Sequence, residues 1–132
     1  MQKRHNHDRP IERAVRRLVR QYKAASDRIE RREHGRTHFI RQVKAVADNG
    51  RDYTVLTRDI SLSGIRLLSN HSLLGQHLRV RIPIEDDSPE TYCFVVRILW
   101  SAIAADGLYD NGGLFLELEK AKPGRLRIAD EE

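Results

Sequence analysis

Two short segments of this chain carry residue types suited to anions and to the edges of bases. Glu30-Arg31-Arg32-Glu33-His34-Gly35-Arg36 supplies three guanidinium groups. Asp59-Ile60-Ser61-Leu62-Ser63-Gly64 begins 23 positions after Arg36 and supplies a carboxylate, two hydroxyls and a glycine. A guanidinium fork pairs with phosphate oxygens or with the O6/N7 edge of guanine, and its plane stacks on a base. A carboxylate accepts from the N–H groups on guanine's other edge. Each half also has a plainer reading. Arginines near a helix C-terminus complement its dipole. Asp-x-Ser between strands is a common turn in which both side chains bond local backbone. In that reading Gly64 supplies a positive backbone angle.

These groups need elements to position them. Pro10 suits a first helical turn, with Asp8 as a cap for it. Ile11, Val15, Leu18, Tyr22, Ala25 and Ile29 then recur at spacings of four and three, which predicts a helix over residues 10–29. Arg13, Arg16, Arg17, Arg20 and Lys23 cover much of its remaining surface. The stripe has two readings: it packs on the body of its own chain, or it joins a second copy in a homo-oligomer through residues 11–29. Tyr22 and Ala25 make a poor zipper core. Gly35 is expected to end the helix and leave Arg36 in a non-helical connector.

After Arg36 the period becomes two. Phe39, Val43, Ala45 and Ala47 start a strand pattern, and Asp48-Asn49-Gly50 signals a hairpin. Tyr53, Val55 and Thr57 alternate, Asp59–Gly64 interrupts, and Ile65–Leu68 resumes. His77–Ile84 alternates up to Pro83, residues 91–101 form a long apolar strand, 105–111 read as a polar turn, and Gly113–Leu118 is the last strand. Six short strands without crossover helices imply a mainly β fold, a six-stranded antiparallel β-barrel preceded by an N-terminal α-helix. The chain then divides into a polar start and basic helix (1–29), an arginine-rich connector (30–36), the barrel (37–120) and a charged tail (121–132).

The net charge of +5 is unevenly placed. Residues 1–36 hold twelve Lys/Arg against five Asp/Glu, a balance of +7, while residues 37–132 hold twelve against fourteen, a balance of −2. A basic arm on a slightly acidic body calls for an anionic partner. No apolar run reaches the roughly 20 residues that cross a bilayer, and residues 1–20 lack a secretory pattern. With the single cysteine, Cys93, read as a buried inert thiol, the expectation is a cytoplasmic protein. His5 and His7 in a polar tail make a weak metal pair, and Glu85–Glu90 reads as a solvated acidic loop, so no metal site is expected. Trp100 and Phe115 read as core, and no nucleophile–base pair stands out.

Arg32-x-x-x-Arg36 followed by Asp59-x-Ser61-x-x-Gly64 resembles the signature of PilZ domains, bacterial receptors for cyclic di-GMP. The resemblance covers about residues 30–118 and includes Val96–Trp100 and Tyr109–Leu118. It implies a receptor rather than an enzyme, with one or two cyclic di-GMP molecules per chain as ligand and no cofactor. Arg32 and Arg36 would grip phosphates and guanine edges, and Asp59 would accept from a guanine N–H edge. Ser61 would bond guanine or phosphate, Gly64 would admit the ligand to the backbone, and Arg31 would grip or stack on a second ligand molecule. The ligand would join arm to body, and the moved arm would engage an unidentified protein partner. Two other readings remain: a nucleic-acid-binding barrel using its basic helix, in which Asp59 has no role, and a helix-mediated assembly module.

Overall fold

The computed structural model describes residues 8–25, 32–33, 35–85 and 88–120. Helix α1 (Asp8–Ala25) comes first. Eight strands follow: β1 (Arg32–Glu33), β2 (Arg36–His38), β3 (Gln42–Ala47), β4 (Asp52–Ile60), β5 (Gly64–Ser69), β6 (His77–Pro83), β7 (Thr91–Ala105) and β8 (Leu108–Lys120). Six of them close a ring. β4, β3, β6, β7, β8 and β5 pair in that order, all antiparallel, and β5 pairs back onto β4. The mainly β, six-stranded barrel read from the alternation is therefore the fold. β1 and β2 lie outside the ring as a hairpin, with β2 running along the end of β4 (Thr37↔Ile60, His38↔Asp59).

Strict alternation fills the barrel. Val43, Ala45 and Ala47 of β3, Leu78, Val80 and Ile82 of β6, and Phe94, Val96 and Ile98 of β7 point inward and are buried. Small and large inward residues together fill a narrow closed barrel. Phe94 and Phe115 pack with ring centroids 4.6 Å apart. The buried Asn111 side chain donates to the Leu67 carbonyl (3.1 Å) and accepts from the Leu73 N–H (3.1 Å). It thereby ties the chain after β5 to β8. The turn at residues 48–50 forms as expected, with Gly50 at φ 88° and its N–H donating to the Ala47 carbonyl.

The stripe on α1 belongs to this barrel. Ile11, Val15 and Leu18 are buried in the same core as the inward strand residues, and Tyr22 packs on Phe39 with centroids 5.2 Å apart. The described part of the stripe, Ile11 to Tyr22, thus packs within its own chain; Ile29 lies outside the described residues.

Three expectations change. Arg32 and Glu33 are extended and pair with Thr37 and Arg36, so Gly35 (φ 75°) turns a hairpin instead of ending a helix. Helix α1 is described as far as Ala25, and residues 26–29 of the expected span lie outside the described residues. The polar turn expected at 105–111 shrinks to a tight turn around Gly107 (φ 75°), because β7 and β8 keep pairing as far as Ala105↔Leu108. Gly113 consequently lies inside β8 and does not begin it. No helix among the described residues is long and apolar enough to cross a membrane.

Candidate ligand site

The site is made by two breaks in strand alternation. On β4, Val55 and Thr57 point inward, so a regular strand would send Asp59 inward too. A register shift between Thr57 and Asp59 inserts one residue. Ile60 then takes the inward place opposite Ile65, and Asp59 turns outward opposite Arg66. On β7, Val96 and Ile98 point inward, and a register shift between Ile98 and Trp100 turns the indole outward opposite Gly112. Trp100 is 44% exposed. The reading of Trp100 as core is therefore corrected by that bulge, whereas Phe115 is core as expected.

Asp59 is the centre of a charged network. Arg36 Nε donates to Asp59 Oδ1 (2.5 Å), and Arg66 Nη1 donates to Asp59 Oδ2 (3.0 Å). Arg66 Nη2 also donates to Asp110 Oδ2 (2.8 Å), which Arg58 approaches at 3.6 Å. The hydrogen bond to Asp110, helped by the charge of Asp59, pushes the Arg66 guanidinium above its usual pKa despite burial. Three guanidinium groups meet two carboxylates here, which leaves one positive charge in excess and favours an anion. Arg36 Nη1 further reaches Ser61 Oγ at 3.4 Å. Arm and body are thus already joined through Arg36, which corrects the expectation that a ligand must bring them together.

Ser61 shows the plain turn chemistry weighed for it. Its N–H donates to the Gly64 carbonyl (2.9 Å), and its hydroxyl accepts from the N–H groups of Ser63 (3.3 Å) and Gly64 (3.2 Å). Asp59 does not follow that plain reading, since guanidinium groups take both its oxygens. Gly64 has no positive φ. Glycine is needed there because a Cβ would run into the Gly113 carbonyl of β8, so the close approach is between strands. Gly112 is needed because a Cβ would strike the Trp100 indole.

A cavity of about 410 Å³ opens beside this network, bounded by Arg36, Ser63, Gly64, Arg66, Trp100 and Gly113 among others. Of the residues singled out in the sequence, Arg36, Asp59, Ser61 and Gly64 come together. Arg32 stands in β1 opposite Thr37, and Arg31 lies outside the described residues. Arg66, Asp110 and Trp100 were not foreseen; a charged residue inside the apolar run Ile65–Leu68 was the signal available for Arg66. Cys93 is buried, and burial, with Glu119 nearby, pushes its thiol pKa up. No three His, Cys, Asp or Glu side chains converge as a metal site among the described residues.

The PilZ domain family model matches residues 30–127. None of the curated proteins matches the chain. A match over most of the chain, on a barrel that links Arg36 to Asp59 and Ser61 beside a cavity bordered by Arg36 and Gly64, shows that this protein belongs to the PilZ domain family. The family is in general one of cyclic di-GMP receptors, and its domains bind ligands and do not catalyse.

Proposed function

We propose that this protein binds cyclic di-GMP at the cavity beside Arg36 and Trp100 and passes the event to a protein partner through its N-terminal arm. The observation that carries this reading is the Arg36–Asp59 pair at the edge of that cavity. A ligand phosphate or a guanine O6/N7 edge offers the Arg36 fork a bidentate partner. As Arg36 turns to the ligand, Asp59 Oδ1 becomes free to accept from a guanine N–H edge, while Arg66 keeps the other oxygen neutralised. The exchange leaves no carboxylate or guanidinium unpaired, which keeps its desolvation cost low. The Trp100 face offers a stacking surface for a base. Ser61 holds the turn and adds a hydroxyl, and Gly64 keeps the adjoining backbone close. Arg31 and Arg32, on the same arm, would complete the grip on phosphates or on a second ligand molecule.

Movement of Arg36 pulls on β2, which is held to β4 by two residue pairs, and so on the chain leading back to α1. That is the route by which occupancy reaches a partner. Isothermal titration of nucleotide-free protein tests the reading. Cyclic di-GMP should bind, and Arg36→Ala or Asp59→Ala should each weaken it by about ten- to a hundredfold. Absence of binding at high micromolar ligand would overturn it.

A further inference from the structure

A second cavity, of about 440 Å³, lies between α1 and the body and is bordered by Ser61 and Leu62 of the turn whose Ser63 and Gly64 border the first. Its wall on α1 carries Arg16, Arg20 and Lys23, at spacings of four and three, so all three side chains share one face beside the buried stripe. Its opposite wall includes Gly35 of the hairpin and Ser61 and Leu62 of the motif turn. Arg17, one position away, pairs with Glu90 at 3.6 Å, but no described carboxylate pairs with Arg16, Arg20 or Lys23. The lining described for this cavity holds no acidic residue at all.

Three neighbouring cations that no described carboxylate pairs repel one another, and a bound anion relieves that repulsion. Gly35 and Ser61 place this cavity next to the side chain of Arg36, which borders the first cavity and reaches Ser61 Oγ. Clefts for compact organic ligands run to about 300–1,000 Å³. Either cavity alone is near the low end, and a ligand with two bases and two phosphodiesters can occupy both.

We infer that α1 forms a second, cationic wall of the ligand site, with Arg16 and Arg20 taking a phosphodiester of the cyclic dinucleotide whose guanine end lies toward Arg36 and Asp59. This rests on the cyclic di-GMP reading and adds to it a binding role for the helix. It makes α1 a sensing element, because its arginines contact the ligand directly and not merely through the connector.

The test compares two charge-matched double variants of the full chain by titration with cyclic di-GMP. Arg16→Glu with Arg20→Glu should weaken binding by at least about tenfold, since each lost charge-assisted contact is strong. Lys44→Glu with Arg51→Glu makes the same change of charge at exposed positions that line neither cavity, and should stay within about threefold because exposed charges are screened. Arg16→Gln with Arg20→Gln guards against misfolding, and unchanged thermal unfolding with weakened binding supports the inference. Equal loss in both Glu pairs would overturn it in favour of a long-range field. Parent-like binding by the Arg16/Arg20 variants, with Arg36→Ala still defective, would overturn the α1 wall and leave the cyclic di-GMP reading standing. A parent that does not bind at all overturns both.

Discussion

Replacing Asp59 by alanine should destabilise the fold, and the structure sets the size of the effect. The Asp59 side chain is only 11% exposed, and its two oxygens accept from Arg36 at 2.5 Å and Arg66 at 3.0 Å. A hydrogen bond to a charged partner contributes about 1.5–3 kcal/mol when buried, and an exposed ion pair contributes about 0–1 kcal/mol. Arg36 and Arg66 are each about 30% exposed, so both bonds fall between these limits. After the substitution Arg66 keeps Asp110 at 2.8 Å, while Arg36 keeps, among the described side chains, only Ser61 at 3.4 Å. The expected loss is about 2 kcal/mol, or about 8 °C in Tm for a chain of this size. Arg36→Ala should cost about 1 kcal/mol, and the Arg36/Asp59 double-mutant cycle should show a coupling of about 1 kcal/mol. Urea unfolding followed by circular dichroism, in nucleotide-free protein at fixed salt, measures all three. A coupling below about 0.3 kcal/mol, the level at which independent sites add, would refute the account of Arg36 as the tie between arm and body.

Gly112→Ala should displace the Trp100 indole, because the added Cβ occupies the ring's position; a shifted tryptophan emission and weaker ligand binding in a folded protein would show it. Asn111→Ala should cost about 2–4 kcal/mol in urea unfolding, since it strands the Leu73 N–H and the Leu67 carbonyl in the core. Cys93 should resist iodoacetamide until the protein unfolds, because its buried thiol is held protonated. Its raised pKa also sets a sign. The stability it contributes is complete below the unfolded thiol value of about 8.5 and is lost as pH climbs through the higher folded value. Cys93→Val should therefore remove part of the alkaline decline in a series of unfolding curves above that pH.

Much of the barrel was legible in local pattern. The alternation of His77–Pro83 and the Asp48-Asn49-Gly50 turn each depend on neighbours in sequence, and each was read correctly. The Ile11–Leu18 stripe announced a helix, yet its spacing was equally compatible with a second copy, and only the barrel core shows that these residues pack within their own chain. The two motif halves were legible as residue types. Their outward direction was not, because Asp59 and Trp100 each sit one residue past a bulge, and period-two reading then assigns a side chain to the wrong face. Arg66 and Asp110 escaped for a different reason. They lie 44 residues apart and meet only because β5 and β8 pair in one register, a non-local fact that no short window contains. Gly35 misled because a positive φ serves a helix end and a hairpin turn equally well.

Trp100 is the only tryptophan in the chain, and it borders the cavity assigned to the ligand. Its fluorescence therefore reports on that cavity without a label. Titrating nucleotide-free protein with cyclic di-GMP should give a saturable change in emission. The change should need about ten- to a hundredfold more ligand in Arg36→Ala, and should be much weaker with cyclic di-AMP, whose bases lack the N–H edge that suits Asp59. An emission that stays constant to high micromolar cyclic di-GMP, or responds equally to both dinucleotides, would contradict the account.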